Sequence, residues 1–318
     1  MAKTRRTIVL NKAAALLALV PLAALAGCGR RSPPVGDQDR ARATFTDEAG
    51  RQITLRTAPT RRVVSLAPNV TELLFAIGAG EQLVGIDNYS DQPAAQVGAI
   101  AKVGSNYEPS IEKVVALAPD VVFTSLSANR RETAEALQRL GIPVFVTDTR
   151  AVLEMDRTFR SLGAITGHAR EAEEQIRRLA AGLDAVARRV AGRPRVGVLV
   201  VVWDDPLYVA GRRTFTHDLI EIAGGKNIAA DATGFVKYPL EHVLRLAPEV
   251  IVLPTHSAES QGARAVGYWS RWPELPAVRD KRVTAVEDAV ISRPGARLVE
   301  GADLLARIIH PQANVTPP

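Results

Sequence analysis

Two hydrophobic periods alternate along most of the chain. Short apolar runs rich in β-branched residues fall at 62–66, 83–86, 121–123, 143–146, 195–201, 250–253 and 282–286. Such runs favour buried strands. Segments with three- and four-residue apolar spacing separate them and predict helices at 68–78, 133–140, 155–162, 216–223 and 296–309. Residues 43–55 hold two alternating runs around Asp47-Glu48-Ala49-Gly50, the pattern of a β-hairpin. Strands alternating with helices imply an α/β fold with mainly parallel sheets, whose ligands bind outside the carboxyl ends of the strands. In the first half the loops at those ends are residues 67–69, 87–93, 124–129 and 147–149.

One unit occurs twice. Residues 111–122 read IEKVVALAPDVV and residues 240–251 read LEHVLRLAPEVI. Each predicts a short amphipathic helix that stops before a proline, followed by a buried strand, because proline cannot continue a helix and disfavours helical geometry in the residue before it. Ser110 is placed to cap the first copy. Glu112 and Glu241 occupy matching first-turn positions, where the helix dipole favours negative charge. The repeat fits two similar lobes, or the ordinary recurrence of helix-Pro-strand units in one α/β protein. From 169 to 190 the pattern is helical without a break, with Ile176, Leu179, Leu183, Val186 and Val190 on one face. A helix of about 22 residues is about 33 Å long. That length can bridge two lobes or lie along the surface of one.

Residues 1–27 begin with Lys3, Arg5 and Arg6, continue as an apolar stretch from Ala13 to Ala26, and read as a signal segment. The stretch is short for a membrane span. It ends Leu25-Ala26-Gly27-Cys28, which resembles a bacterial lipoprotein signal with Cys28 as the lipidated residue. Residues 28–43 are rich in Arg, Ser, Pro, Gly and Asp and read as a tether. The expected organisation is therefore a signal (1–27), a tether (28–43), a first α/β lobe (44–166), a linking helix (167–193) and a second lobe (194–318). The formal charge is +6, and the four cations of residues 1–27 are the only charges in that segment, which leaves +2. No cationic stripe interleaved with aromatics appears, so nucleic acid is not an expected partner.

Catalytic motifs fail one by one. Gly78-Ala79-Gly80 follows a helix and has Leu83 where a third glycine is due. Gly224-Gly225-Lys226-Asn227 lacks both the first glycine and the hydroxyl of a phosphate loop. There is no nucleophile-elbow serine, and no histidine pairs with another histidine or a cysteine at metal-ligand spacing. What stands out is aromatic residues on predicted inter-lobe loops: Tyr89, Tyr107, Trp203, Tyr208 and Tyr238. Rigid aromatic faces bury flat apolar ligand area.

Five stretches together resemble the metal-chelate class of bacterial ABC-transporter substrate-binding proteins, those for siderophores, haem and cobalamin. They are RVVSLAPNVTE (62–72), the two Glu-helix repeats, LIEIAGGKN (219–227) and Ser292-Arg293-Pro294-Gly295. The resemblance spans about residues 44–310. It implies a class III periplasmic binding protein: two Rossmann-like α/β lobes joined by a single long rigid helix, with the ligand in the cleft, no cofactor and no enzymatic activity. It also implies that Glu112 and Glu241 dock on arginines of the two permease subunits, which work with ATPase subunits, while Cys28 holds the protein in the periplasm or on the outer face of the cell membrane. Asn88-Tyr89-Ser90-Asp91-Gln92-Pro93 looks like the cobalamin-binding branch, with Tyr89 stacked on the corrin; Asn69, Tyr107, Trp203, Tyr208, Tyr238 and Arg293 complete the expected ligand contacts. A ferric siderophore or haem is the alternative ligand within the class, and a lipid-anchored α/β hydrolase the alternative outside it.

Overall fold

The computed structural model describes residues 42–255 and 262–314; the predicted signal, Cys28 and almost all of the tether lie outside them. The first half runs β1 (Ala43–Thr46), β2 (Gln52–Leu55), β3 (Val63–Ser65), α1 (Pro68–Ala76), β4 (Leu83–Ile86), α2 (Ala94–Val97), β5 (Ala101–Lys102), α3 (Ile111–Ala116), β6 (Val121–Ser125), α4 (Arg131–Arg139) and β7 (Val144–Thr147). Two helices follow, α5 (Met155–Thr166) and α6 (Ala169–Val190). The second half runs β8 (Val196–Asp204), β9 (Leu207–Ala210), α7 (Phe215–Ile222), β10 (Gly225–Asn227), β11 (Phe235–Lys237), α8 (Leu240–Leu246), β12 (Val250–Thr255), α9 (Gly262–Trp269), α10 (Pro276–Arg279), β13 (Val283–Glu287), α11 (Asp288–Ile291) and α12 (Leu298–Ile309).

Strands β3 to β7 form a parallel sheet in the order β5-β4-β3-β6-β7. The second sheet centres on β8 and β12, which pair in parallel with each other, with β13 and with β10. Its far edge departs from the parallel reading. β9 runs antiparallel to β8, and β11 antiparallel to β9. The link between β8 and β9 is only Asp205-Pro206, and a two-residue connection joins antiparallel neighbours alone. Trp203 and Tyr208, expected on an inter-lobe loop, thus lie within β8 and β9.

Each sheet buries both faces. Val64, Val122 and Val144 face one small core in the first lobe, and Leu199, Val201, Ile251 and Leu253 face another in the second. The opposite faces meet in a single core that holds Phe123 and Phe145 from one sheet and Val198, Val200, Val250 and Val252 from the other. Ala172, Ile176, Leu179, Leu183, Val186 and Val190 of α6 run through it. Two glycines let α6 sit close. A Cβ on Gly163 of α5 would stand 2.7 Å from Ala172 Cβ, and one on Gly182 of α6 would stand 2.7 Å from a Val299 methyl of α12.

The repeat folds as read, and both copies end in the same unusual backbone. Ala118 and Ala247 take φ 42° and 47°. Left-handed alanine costs about 1 kcal/mol. Glycine at either position is therefore expected to raise stability by a few tenths to about 1 kcal/mol after its own entropic cost; a lower urea midpoint would contradict this. The second acid of each copy is structural. Asp120 Oδ2 accepts the Arg61 and Arg62 N–H groups at 2.8 and 2.9 Å, and Glu249 Oε1 accepts the Gly197 N–H at 2.8 Å. Each carboxylate thus ties its helix-strand unit to the strand at the centre of its sheet.

Candidate functional site

Every parallel strand of the first sheet ends at the same edge, and the loops leaving that edge face the second lobe. They enclose a cleft of about 570 Å³. Its first wall is Pro68 and Asn69 after β3, Tyr89 after β4, Asn106 after β5, Leu126 to Ala128 after β6, and Asp148 to Arg150 after β7. Its second wall is Arg213 to Phe215 at the start of α7, Gly234 and Phe235 at β11, and Ser292 to Pro294 between α11 and α12.

Tyr89 is 57% exposed on this wall, yet its loop is rooted in a buried polar network. Asp87 Oδ1 accepts the Tyr89 N–H at 2.8 Å, and Asp87 Oδ2 accepts the Ser90 hydroxyl. Thr71 Oγ1 lies 2.8 Å from both Ser65 Oγ and Ser90 Oγ, which links α1, β3 and the loop. Lys102 Nζ donates to the Ser90 carbonyl at 2.6 Å and the Asp87 carbonyl at 3.2 Å. Burial pushes the Asp87 carboxyl above its ordinary range, against the Ser90 and Tyr89 hydrogen bonds and the Lys102 charge. Asn129 fixes three other loops. Its Nδ2 donates to the carbonyls of Leu66 and Asn106 at 2.8 and 2.5 Å, and its Oδ1 accepts the Ser125 N–H at 2.7 Å.

An ionic bridge crosses between the walls beside Tyr89. Glu72 is a buried carboxylate on α1. Arg297 grips it with Nε at 3.1 Å and Nη2 at 3.2 Å, the two-point geometry that suits a guanidinium to a carboxylate. Arg293 Nη1 lies 3.3 Å from Glu72 and 2.6 Å from Asp91. Burial alone would raise the Asp91 carboxyl, but the Arg293 hydrogen bond and charge outweigh it and hold it below its ordinary range.

Of the residues expected to meet a ligand, Asn69, Tyr89 and Arg293 line the cleft. Tyr107, Trp203, Tyr208 and Tyr238 are not among its lining residues, and each has a local reason. Tyr107 lies under the Arg130 guanidinium, 3.8 Å from its ring centroid, and Arg130 also pairs with Glu108 at 3.2 Å. Trp203 and Tyr208 face each other across β8 and β9 near the hairpin tip, where the Trp203 indole N–H donates to the Asp205 carbonyl at 2.8 Å. Tyr238 is buried in the second lobe, with its hydroxyl donating to Asp231 at 2.8 Å and its ring 4.9 Å from His242.

Phe235, Arg213 and Arg150 are among the wall residues that the sequence pattern does not single out. Phe235 stands directly opposite Ala210 in the β9–β11 ladder, and its ring is 6.0 Å from Phe215 in an edge-on contact. Arg213 takes φ 59°, a left-handed backbone uncommon outside glycine. Arg150 pairs with Asp148 at 2.8 Å. The antiparallel β9–β11 extension turns Phe235 onto the wall, and without that pairing the residue is one more apolar side chain. Glu112 and Glu241 stand exposed on the first turns of α3 and α8. Among the described residues no group of three or more His, Cys, Asp or Glu stands together as a metal site.

Two α/β lobes facing each other across a ligand-sized cleft, with the loops of parallel strands as walls, define a binding-protein architecture. Residues 63–289 match the periplasmic binding protein family model, and the chain belongs to that family. It is a family of substrate-binding transport proteins, not of enzymes. The chain is 30% identical to the uncharacterized ABC transporter substrate-binding lipoprotein YvrC of Bacillus subtilis (strain 168), over 95% of this chain and 98% of that protein. It is 26% identical to the vitamin B12-binding protein of Vibrio parahaemolyticus over 77% of this chain and 88% of the relative. Among solved structures, the periplasmic heme-binding protein RhuT of Roseiflexus sp. RS-1 superposes with a TM-score of 0.71 at 26% identity, covering 80% of this chain and all of that one.

Proposed function

We propose that this protein is the substrate-binding component of an ABC importer, that it captures a corrinoid of the cobalamin type in the inter-lobe cleft, and that it hands the ligand to the permease. The observation that carries the reading is Tyr89: a flat aromatic face, 57% exposed on the cleft wall and held by a buried network. A corrin presents a broad planar edge and a ring of amides, which suits one aromatic plane with hydrogen-bonding groups around it. The B12-binding relative supports the same ligand. The lipoprotein relative supports lipidation of Cys28 and an anchor at the outer face of the cell membrane. Native mass spectrometry of the mature protein with equimolar cyanocobalamin and haemin tests the ligand. The expected spectrum is a one-to-one cobalamin adduct; a haem adduct alone would overturn the assignment.

Haem is the second reading, and a specific observation favours it. A tyrosine phenol faces the cleft, and tyrosinate is an axial ligand for haem iron.

In this reading Glu112 and Glu241 are a docking pair for the two permease subunits. Charges of this kind set register and encounter more than raw affinity. Changing both to alanine is expected to leave cyanocobalamin affinity within about twofold, because neither lines the cleft. The same change should abolish most of the stimulation of transporter ATPase activity in proteoliposomes. Lost ligand affinity with intact stimulation would reverse the roles.

A further inference from the structure

Arg293 lines the cleft, as a ligand contact would, and its surroundings point to a further task. The guanidinium belongs to the second lobe, but its Nη1 bridges two carboxylates of the first, Glu72 on α1 and Asp91 on the β4–α2 loop. Asp91 lies two residues beyond Tyr89. Two residues before Tyr89, Asp87 accepts the Tyr89 N–H inside the first lobe's own polar network. Tyr89 therefore sits on a segment pinned at both ends, once by its own lobe and once by the opposite one.

We infer that Arg293 is a positioning residue, which sets Tyr89 for ligand through Asp91 and so makes the binding surface of the first lobe depend on its contact with the second. This rests on the cleft being the ligand site. The physical basis is preorganisation: a loop already ordered before binding loses less conformational freedom when ligand arrives. The bridge is built for this task. Glu72, which shares Arg293 with Asp91, is anchored independently by the two-point grip of Arg297. Gly295 completes the fit, because a Cβ there would stand 3.3 Å from the Glu72 carboxylate oxygen. Removing Arg293 leaves the Glu72–Arg297 pair intact and frees only the far end of the Tyr89 loop. The arrangement also makes ligand affinity sensitive to lobe separation, since a small opening would stretch the 2.6 Å Arg293–Asp91 contact before it disturbed the buried network at Asp87.

The test uses Arg293→Met, Asp91→Asn and their combination, each also in a Tyr89→Ala background, with cyanocobalamin as the probe. Each single change is expected to weaken binding by about five- to tenfold. The double change should be no weaker than either single one, and the effect should vanish in the Tyr89→Ala background, because non-additivity marks residues acting through one another. A loss from Arg293→Met that persists beside Asp91→Asn would mean direct ligand contact and would overturn the inference. Hydrogen exchange in ligand-free protein gives a readout that does not depend on the ligand's identity. The Tyr89 and Ser90 amides should exchange about tenfold faster in both variants while core amides of β3 and β8 do not change. Unchanged exchange at Tyr89 and Ser90 would also overturn it. Should the wild-type protein take up no cyanocobalamin, the ligand reading fails, and the exchange result still decides the role of Arg293.

Discussion

Tyr89→Ala weakens cyanocobalamin binding by about tenfold or more, and Tyr89→Phe leaves it within about twofold. The aromatic contact alone is worth about 0.5–1.5 kcal/mol beyond the area it buries, and each 1.4 kcal/mol is tenfold in Kd. Phenylalanine keeps the flat face and loses only the hydroxyl. Alanine loses the face and leaves a gap where ligand would meet the loop. Haem reverses the pattern: if Tyr89 supplied a tyrosinate to iron, phenylalanine would be nearly as damaging as alanine and would change the visible spectrum of the haemin complex. Calorimetry with both ligands against the two variants separates the readings. Stability should not move, because the side chain is 57% exposed. The backbone N–H that meets Asp87 is present in all three proteins.

Glu72→Ala destabilises the fold by about 3 kcal/mol, the cost of breaking a buried ion pair by removing one partner. Its side chain is 5% exposed and faces two guanidinium groups from the other lobe. Without it, Arg293 and Arg297 confront each other with Asp91 as the remaining acid of the bridge. Urea unfolding should show a lower midpoint with an unchanged slope. A paired change, Glu72→Leu with Arg297→Met, should recover much of the loss, since removing both partners leaves fewer buried charges unpaired. An unchanged midpoint for Glu72→Ala would mean that the bridge contributes nothing to holding the lobes together.

Local signals in the sequence were strong wherever chemistry within a few residues decides the outcome. The repeated helix-Pro-strand unit, the apolar stripe of α6 and the Ser110 cap all depend on near neighbours, and all are seen; Ser110 Oγ accepts the Lys113 N–H at 3.2 Å. The loops at the carboxyl ends of the first four buried strands were legible for the same reason, and they form one wall of the cleft. Residues joined over long sequence distances were not legible. Nothing near Glu72 in the sequence marks its partners, because Arg293 and Arg297 lie more than 200 residues later. The aromatics of the second lobe failed for a related reason. Trp203, Tyr208, Phe235 and Tyr238 fall within 36 residues, but the pairing and register of β8, β9 and β11 decide which of them reaches the cleft. Tyr238 looked equivalent to the others and is instead a hydrogen-bonded member of the core.

The repeat also proved to carry two different acids. Glu112 and Glu241 stand exposed, as a docking pair would require. Asp120 and Glu249, at the opposite ends of the same units, hold backbone N–H groups at the starts of the central strands. One repeated segment therefore shapes both lobes and presents a charge on each. In the proposed function the ligand chemistry lies elsewhere, on the loops that line the cleft.

The central claim is that the cleft takes a corrinoid, and isothermal titration of the mature wild-type protein with cyanocobalamin tests it most directly. The expected result is saturable one-to-one binding with a Kd in the micromolar range or tighter. No heat and no thermal shift at high micromolar cyanocobalamin would contradict it.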